Sequence, residues 1–271
     1  MIDVVVPIYN PGDNILKICE YLENIPKVKW IYIFDTDKSF PNVKNFKKVK
    51  YISIDKKDFH HAKIRNKYIK YSTSEYVIFM TQDVFFLNNS CISKMYNFIK
   101  KNDLSALTIR QSTIRKHDPY DRIKRLTKYP NKNFIFQSFS SLINLSNTFT
   151  MYDVSIFKML KGFPTNHHWA EDIQYAELAI NKGYKIGYLG ETSIKHSHNH
   201  SMKDKISRAY LAGGLTRNSE NRKKIISTHK TSILILQKAF KISFMLFNIV
   251  LLNLFILFLA YYYGRLFKKN L

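Results

Sequence analysis

The chain has 271 residues, 45% of them hydrophobic and 15% aromatic, so it can form one α/β domain with an appendage. Lysine and arginine number 43 against 20 acidic residues, a formal net charge of +23, which predicts an anionic partner: nucleic acid, phospholipid or a phosphorylated small molecule. The two cysteines, Cys19 and Cys91, have no paired spacing, which excludes a disulfide framework and a cysteine-based zinc site.

The first third of the chain predicts alternating strands and helices. Apolar, β-branched runs predict strands at residues 4–6, 31–34, 51–54 and 76–80. Helices are expected at about 13–24 and ending at about residue 71. This alternation is typical of a doubly wound, mostly parallel sheet. The chain opens on a strand without the regions of a signal peptide, so we expect the catalytic part to stay in the cytoplasm.

The middle of the chain predicts further strands and helices around one long polar stretch. A helix at 90–101 and a strand at 104–109 precede residues 110–133, which we expect to be a loop because Asp118-Pro119 and Tyr129-Pro130 act as breakers. A strand at 149–152, helices at 153–160 and up to residue 182, and a strand at 186–189 follow.

The composition changes near Met202. Residues 203–241 are basic, whereas 242–263 carry no charge and as a helix would span roughly 33 Å, against a hydrocarbon core of about 30 Å. We therefore expect a catalytic domain at 1–201, a basic juxtamembrane segment at 202–241, a transmembrane or membrane-interface helix at 242–264 and a basic tail at 265–271. Basic residues flank the apolar stretch on both sides, so a single crossing and an in-plane helix both stay open.

One carboxylate stands out in the first part of the chain. Asp83 lies in the polar triplet 81–83 that follows the apolar run 76–80, a run typical of a strand buried on both faces. Open α/β sheets bind ligands beyond the carboxyl ends of their strands. The sequence therefore predicts an active site at this edge.

Six short motifs then suggest a family. They are Pro7-Ile-Tyr-Asn10, Ile33-Phe-Asp35, residues 59–66, Thr81-Gln-Asp83, Ala170-Glu-Asp172 and His196-Ser-His198. In order and spacing they resemble the family 2 inverting glycosyltransferases with the GT-A fold, and most closely the rhamnosyltransferase-like branch that builds bacterial surface polysaccharides. The resemblance covers about residues 2–201.

The resemblance implies a site for the donor nucleotide. Asp35 would accept a hydrogen bond from the imide N–H of uracil or thymine, with Pro7 and Tyr9 lining the base pocket. Gln82 would also contact the donor, and the always-charged Arg65 would lie near the pyrophosphate. The alternative for Asp35 is a turn acceptor at the end of its strand.

The resemblance also implies a divalent cation, Mg²⁺ or Mn²⁺, bridging the donor phosphates. Asp83 would be its carboxylate ligand, and His196 or His198 would complete the ligand set. The family often has a second aspartate where this chain has Thr81, so we expect weaker metal affinity. The alternatives are a helix-capping role for Asp83 and a polar loop containing the histidines.

Asp172 is the candidate general base. An inverting transfer needs one carboxylate opposite the leaving diphosphate, and an aspartate is ionised at pH 7 because its usual pKa is about 3.9. Glu171 would orient the acceptor, and Trp169 could stack on a sugar face. The alternative is that Glu171 and Asp172 stand at the start of a helix only because its dipole favours acidic residues there.

These observations predict a membrane-tethered, metal-dependent inverting glycosyltransferase at the cytoplasmic face of a bacterial membrane. The best prediction for the donor is dTDP-rhamnose, within the wider class of dTDP- and UDP-sugars, and for the acceptor a lipid-linked saccharide. A nucleotidyltransferase is one alternative, although residues 8–13 lack its basic, glycine-rich loop. A non-catalytic basic protein that binds lipid or nucleic acid is the other; we expect no nucleic-acid partner, because no recognition motif is evident.

Overall fold

The strand β1 (Ile2–Ile8) has a parallel neighbour on each side. The structure of the protein is a computed structural model. It describes residues 1–40, 45–69, 72–112, 119–138, 145–165, 170–196, 201–215, 222–242 and 244–267. The chain divides into two compact units. The first, called the sheet unit, contains Met1–Ser112 and Asn131–His196; the second, called the helical unit, contains Thr113–Pro130 and Ser197–Leu271.

Nine strands form one mixed sheet within the described residues. After β1 they are β2 (Val28–Asp35), β3 (Val49–Ser53), β4 (Tyr76–Met80), β5 (Val84–Phe86), β6 (Leu104–Ser112), β7 (Phe134–Phe136), β8 (Phe149–Asp153) and β9 (Lys185–His196). Their order is β3-β2-β1-β4-β8-β6-β9-β5, and β7 pairs with β9.

The parallel half of the sheet confirms the doubly wound prediction. Strands β3, β2, β1 and β4 run parallel to one another, so their carboxyl ends meet at one edge. All five residues of β4 are buried, as its unbroken apolar run predicts. Strand β8 then pairs antiparallel with both β4 and β6. The start of β8 therefore lies beside the end of β4.

Nine helices are described, numbered in chain order. The sheet unit contains α1 (Asn14–Glu23), α2 (His61–Ile69), α3 (Cys91–Asn102), α5 (Val154–Met159) and α6 (Glu171–Asn181), with a short 3-10 turn at Lys56–Asp58. The helical unit contains α4 (Pro119–Lys128), α7 (Met202–Leu215), α8 (Arg222–Ile242) and α9 (Phe244–Phe267).

The spacing of apolar residues explains how the helices of the sheet unit pack. Helix α1 buries Ile15, Ile18, Cys19 and Leu22, a stripe at helical spacing that joins the core formed by β1 and β4. Cys19 and Cys91 are buried free thiols, and burial raises the pKa of the Cys19 thiol to about 12. Neither cysteine forms a disulfide, as their spacing predicts.

Helix α4 corrects the sequence prediction for the long polar stretch. The stretch was expected to be a loop, yet Pro119 is the first residue of a ten-residue helix. Proline is well suited to that position because its fixed φ is helical and the first turn needs no N–H donor. Tyr120 and Ile123 are buried against Ile235, Ala239 and Val250 within the helical unit. Tyr120 and Ile123 stand at helical spacing, but they are surrounded by charged residues, so the stretch as a whole looked like a polar loop.

The C-terminal apolar stretch forms helix α9, close to its predicted bounds. Among the residues that the structure describes, none of the helices has both the length and the apolar composition needed to cross a membrane. The predicted membrane-spanning helix is therefore not supported.

Candidate active site

The loops after β1 and β4 are joined at the carboxyl edge of the sheet. The backbone N–H of Tyr9 donates to Gln82 Oε1 at 2.8 Å, and Gln82 Nε2 donates to the Tyr9 carbonyl at 2.9 Å. Asn14 Nδ2 also donates to the Gln82 carbonyl at 2.7 Å. Pro7, in β1, pairs with Phe34 of β2. The predicted donor residues Pro7, Tyr9 and Gln82 are thus brought together on neighbouring strands and loops.

The side chain of Tyr9 extends from this edge and is 51% exposed. The ammonium of Lys56 lies 5.0 Å from the centre of its ring and 3.3 Å from its hydroxyl. This cation-π contact places a positive charge beside an aromatic surface. A flat, electron-rich ring next to a cation could bind both the base and the charge of a nucleotide.

Asp35 does not present a free carboxylate at the edge. It is fully buried, and its Oδ1 accepts hydrogen bonds from the backbone N–H groups of Asp37 and Lys38 at 3.1 and 2.9 Å. Its Oδ2 accepts from the Phe40 N–H at 2.9 Å and the Tyr51 hydroxyl at 3.1 Å. A carboxylate has about four acceptor positions, and these four donors occupy them. Asp35 thus acts as a turn acceptor in this structure, and its contact with a nucleobase stays a prediction.

Asp83 and His196 meet because two short strands pair. In the antiparallel pairing of β5 with β9, Val84 is opposite His196, which places Asp83 beside the imidazole. His196 Nε2 lies 2.9 Å from Asp83 Oδ2, and His196 Nδ1 lies 3.1 Å from Oε1 of Gln111 on β6. The histidine is almost fully buried. Gln111 thus orients the ring, and the ring and the carboxylate converge on one point.

These two side chains are of the types that bind divalent cations. The described residues contain no group of three or more histidine, cysteine or acidic side chains that could hold a metal, and His198 lies outside them. Mg²⁺ is commonly held by one or two carboxylates together with substrate phosphates and water, so an Asp-His pair fits it. The buried hydroxyl of Thr81, two residues before Asp83, has no hydrogen-bond partner within the described structure. Thr81 is thus a further oxygen, two residues from Asp83 in the chain, that the described residues do not engage.

Asp172 lies in the first turn of α6 and is partly buried. Its Oδ2 accepts a hydrogen bond from the backbone N–H of Asn147 at 3.0 Å, and its Oδ1 accepts from the N–H of Ile173 at 2.9 Å. Burial, and next the charge of Glu171, raise the pKa of Asp172 from 3.8 to about 6. A carboxylate with a pKa near 6 is mostly ionised at pH 7 and is a stronger base than an ordinary aspartate, which suits general base catalysis.

Glu171 and Arg65 form a buried ion pair. Arg65 Nη1 lies 2.6 Å from Glu171 Oε1, and the two side chains are 3% and 10% exposed. The same Oε1 accepts a hydrogen bond from Asn147 Nδ2 at 3.0 Å. We predicted Arg65 near the pyrophosphate and Glu171 at the acceptor; instead the structure joins them to each other. Both charges are desolvated and paired in this structure, and the contacts of Arg65 with the donor and of Glu171 with the acceptor stay predictions.

Asp172 and Asp83 are connected through the adjacent strands β4 and β8. The N–H of Thr81 donates to the carbonyl of Thr148 at 3.2 Å, and Met80 pairs with Phe149. Asn147, which bonds Asp172, directly precedes Thr148. The two carboxylates therefore belong to the same edge of the sheet. Trp169, predicted to stack on a sugar, lies outside the described residues.

The sequence prediction missed three residues of this site: Asn147, Gln111 and Tyr152. Asn147 lies in a segment without periodicity, and it reaches Asp172 only because β8 runs antiparallel to β4. Tyr152 lies in a run that predicts an ordinary strand, whereas Gln111 lies in the stretch predicted to be a loop and is found in β6. No local pattern distinguishes them, so only the strand order could have identified them.

The fold and the site together define a class of protein: a GT-A-like α/β protein with an acidic site at the carboxyl edge of its parallel strands. A mannosyltransferase from Pyrobaculum calidifontis, solved with GDP-mannose and Mn²⁺, shares this fold with a TM-score of 0.65 at 12% identity, covering 99% of this chain and 88% of that one. Staphylococcus aureus TarS is similar over 89% of this chain and 72% of its own, with a TM-score of 0.53 at 20% identity.

The family follows from the sequence comparison. The model of glycosyl transferase family 2 matches residues 3–160, more than half of the chain, and the chain belongs to this family. An O-antigen chain rhamnosyltransferase, RfbN of Salmonella typhimurium, is 27% identical over 223 residues, which are 78% of this chain and 71% of the relative. A second, WbaN of Salmonella anatum, is 31% identical over 169 residues, 60% of this chain and 54% of that relative. The predicted family is thereby confirmed.

Proposed function

We propose that this glycosyltransferase transfers a sugar, L-rhamnose from dTDP-rhamnose, to a lipid-linked saccharide in bacterial surface-polysaccharide synthesis, with inversion at the anomeric carbon. The observation that carries the proposal is the placement of Asp172 and Asp83 on one sheet edge, linked through Asn147 and the pairing of Thr81 with Thr148. The names of the two Salmonella relatives support rhamnose as the sugar.

Asp172 would perform the proton transfer. As an acceptor hydroxyl attacks the anomeric carbon, its proton passes to the Asp172 carboxylate and the new glycosidic C–O bond forms. On the opposite face the bond from the anomeric carbon to the phosphate oxygen breaks, and that oxygen keeps the electron pair. Two N–H donors hold Asp172, which limits its motion during this step. One displacement of this kind inverts the configuration.

Asp83 and His196 would hold Mg²⁺ or Mn²⁺. When bound, the cation neutralises the charge that develops on the departing nucleoside diphosphate. The Asp83 carboxylate and the imidazole of His196 supply one hard and one borderline ligand, and His198 is a further candidate from the sequence. Gln111 fixes the ring of His196, as an orienting partner of a metal-binding histidine usually does.

The donor nucleotide would bind along the loop after β1. Tyr9 provides an exposed ring, Gln82 holds that loop against the end of β4, and Pro7 precedes it. Asp35 would act indirectly, by fixing residues 37–40 beside the pocket through its N–H contacts. Trp169 keeps its predicted place at the acceptor sugar as part of this proposal.

The helical unit would contact the membrane surface where a lipid-linked acceptor is found, at the cytoplasmic face. Helix α9 exposes large apolar side chains at near-helical spacing, whereas Val250 and Asn253 between them are buried. A contiguous exposed apolar face marks an interaction site, and neighbouring lysines favour anionic lipid. Lys241, at the end of α8, is exposed. The exposed apolar residues that carry this proposal are Met245, Leu252, Phe255, Leu259 and Tyr263.

Vesicle binding tests the membrane contact. The purified protein should co-sediment with vesicles containing anionic phosphatidylglycerol more than with pure phosphatidylcholine. Phe255→Glu should weaken this binding, whereas Asn89→Glu, the same change in charge at an exposed position of the sheet unit, should not. Equal binding by both variants would contradict the proposed contact.

A donor panel tests the proposed reaction. The protein is incubated with Mn²⁺ or Mg²⁺, a membrane lipid extract and each of several dTDP-, UDP- and GDP-sugars, and the released nucleoside diphosphate is measured. We expect release from dTDP-rhamnose, and its loss in Asp172→Asn and Asp83→Ala although both variants stay folded by circular dichroism. Release from a different donor alone would change the substrate, and no release from any donor would overturn the reaction.

A further inference from the structure

Asn147 contacts both acidic residues at the start of α6. Its backbone N–H donates to Asp172 Oδ2 at 3.0 Å, and its side-chain Nδ2 donates to Glu171 Oε1 at 3.0 Å. Its Oδ1 accepts a hydrogen bond from the Tyr152 hydroxyl at 2.7 Å. Asn147 is 3% exposed, so water does not compete for these bonds. One residue therefore connects the candidate base, its acidic neighbour and the core.

The partners of Asn147 are themselves fixed. Tyr152 is fully buried, and its ring packs edge-on against Phe163 and Tyr175. Glu171 Oε1, which accepts from Asn147, also accepts from Arg65 Nη1 at 2.6 Å. The Asn147 side chain thus lies between a buried hydroxyl and a buried ion pair, and has little freedom to change rotamer.

Helix α2 contacts both Phe163 and Glu171, the first residue of α6. Asn66 Nδ2 donates to the Phe163 carbonyl and Asn66 Oδ1 accepts from the Phe163 N–H, each at 2.8 Å. Arg65 and Asn66 are adjacent, so α2 holds both the turn at Gly162 and the first residue of α6. The arginine-asparagine pair therefore holds Glu171 and Phe163 in place.

We propose that Asn147 is a positioning residue for Asp172: its side chain, held between Tyr152 and Glu171, fixes the backbone N–H that orients the carboxylate. This inference rests on the proposed function, in which Asp172 is the general base. It adds a role that none of the sequence motifs contains.

The role has a measurable electrostatic consequence. The hydrogen bond from the Asn147 N–H favours the ionised carboxylate and lowers the pKa of Asp172, opposing the increase caused by burial. If the Asn147 side chain is removed, the N–H is released from its fixed position. The carboxylate then becomes harder to ionise and less well aimed.

The test compares Asn147→Ala with two other variants. Tyr152→Phe removes only the hydroxyl that anchors Asn147 and keeps the buried ring. Asn133→Ala is the matched control: Asn133 likewise bonds a glutamate, Glu191, at 2.6 Å and accepts from the Gly190 N–H at 2.8 Å, but it does not contact Asp172. For each protein, nucleoside diphosphate release with the active donor is measured across pH, and thermal unfolding is recorded separately.

We expect Asn147→Ala to lower kcat by about tenfold to a hundredfold, because a displacement of the order of 1 Å can have that effect, with the donor KM little changed. The acidic limb of kcat should move to higher pH. Tyr152→Phe should also lower kcat and move the acidic limb to higher pH, each by a smaller amount. If Asn147→Ala does not fold, Tyr152→Phe serves as the test. Asn133→Ala should lower thermal stability only.

The positioning role is overturned if Asn147→Ala and Tyr152→Phe lower only the thermal stability, as Asn133→Ala does. In that case kcat and the acidic limb of both variants would equal those of the unmodified protein. Failure of the proposed function looks different, because the unmodified protein would then release no nucleotide from any donor. An acidic limb that survives in Asp172→Asn would show that another group is the base, and would overturn both.

Discussion

His196 Nε2 lies 2.9 Å from Asp83 Oδ2, a contact between the last residue of β9 and the loop after β4. The short β5–β9 pairing creates it, because Val84 and His196 are opposite each other in the register. A shift of one residue in this pairing would turn the histidine to the other face of the sheet. The local geometry of three strand residues therefore determines whether the proposed cation site exists.

Replacing His196 with glutamine should weaken cation binding without unfolding the protein. The imidazole would be lost as a ligand, so we expect the Mn²⁺ concentration for half-maximal nucleotide release to rise about tenfold or more. Titration of the donor-loaded protein with Mn²⁺ measures this. Thermal unfolding without the cation should change little; an unchanged Mn²⁺ dependence would show that His196 is not a ligand.

The activity should depend on pH through Asp172. Because burial and the charge of Glu171 raise the pKa of Asp172 to about 6, kcat/KM should fall about tenfold per unit below pH 6. An ordinary aspartate would place this limb near pH 4. The profile of nucleotide release between about pH 4.5 and 8 distinguishes the two.

The Asp172 carboxyl should also affect the stability of the fold, but with the opposite dependence on pH. Its pKa is higher in the folded chain than in the unfolded one, so the fold favours the protonated form. The stabilising contribution is fully present below the unfolded value of 3.8 and is lost as the pH rises through about 6. Asp172→Asn should remove this dependence. Urea unfolding of both proteins at several pH values measures the difference, and parallel curves would contradict the raised pKa.

Breaking the Arg65–Glu171 pair should destabilise the sheet unit strongly. Both side chains are nearly fully buried, so Arg65→Met leaves an unpaired buried carboxylate and should lower the free energy of unfolding by about 3–5 kcal/mol. The double variant Arg65→Met with Glu171→Gln should recover part of this loss. Equilibrium unfolding of the four proteins gives the coupling energy; simple additivity would mean that the pair is not formed.

Ala170→Gly should be neutral or stabilising. Ala170 immediately precedes α6 with φ 60°, a left-handed conformation that costs an alanine about 1–2 kcal/mol and a glycine little. The matched control is Ala176→Gly within the same helix, which should destabilise by about 1 kcal/mol or more. Opposite signs in thermal unfolding would confirm the strained turn, whereas equal destabilisation would contradict it.

The sequence predicted the framework because its signals are local. The unbroken apolar run of β4 and the buried stripe of α1 both follow from side-chain spacing alone. Asp83 was predicted as a site residue by the same rule, since it lies three residues beyond the end of a buried parallel strand. These features require no knowledge of which strands are neighbours.

The roles of Asp35 and Arg65 could not be predicted in this way. Asp35 is satisfied by donors that include the Tyr51 hydroxyl on the neighbouring strand, and Arg65 reaches Glu171 across 106 positions. Both outcomes depend on packing between distant segments. A motif identifies the type of side chain at such a position, but the partners decide whether its charge is free for a ligand.

The paired hydrogen bonds between Tyr9 and Gln82 carry one more consequence. Gln82 directly precedes Asp83, so a nucleotide that moved Tyr9 would also act on the residue next to the proposed cation ligand. In the proposed function the two binding equilibria would then be linked, and reciprocity requires that the cation change nucleotide affinity by the same factor as the nucleotide changes cation affinity.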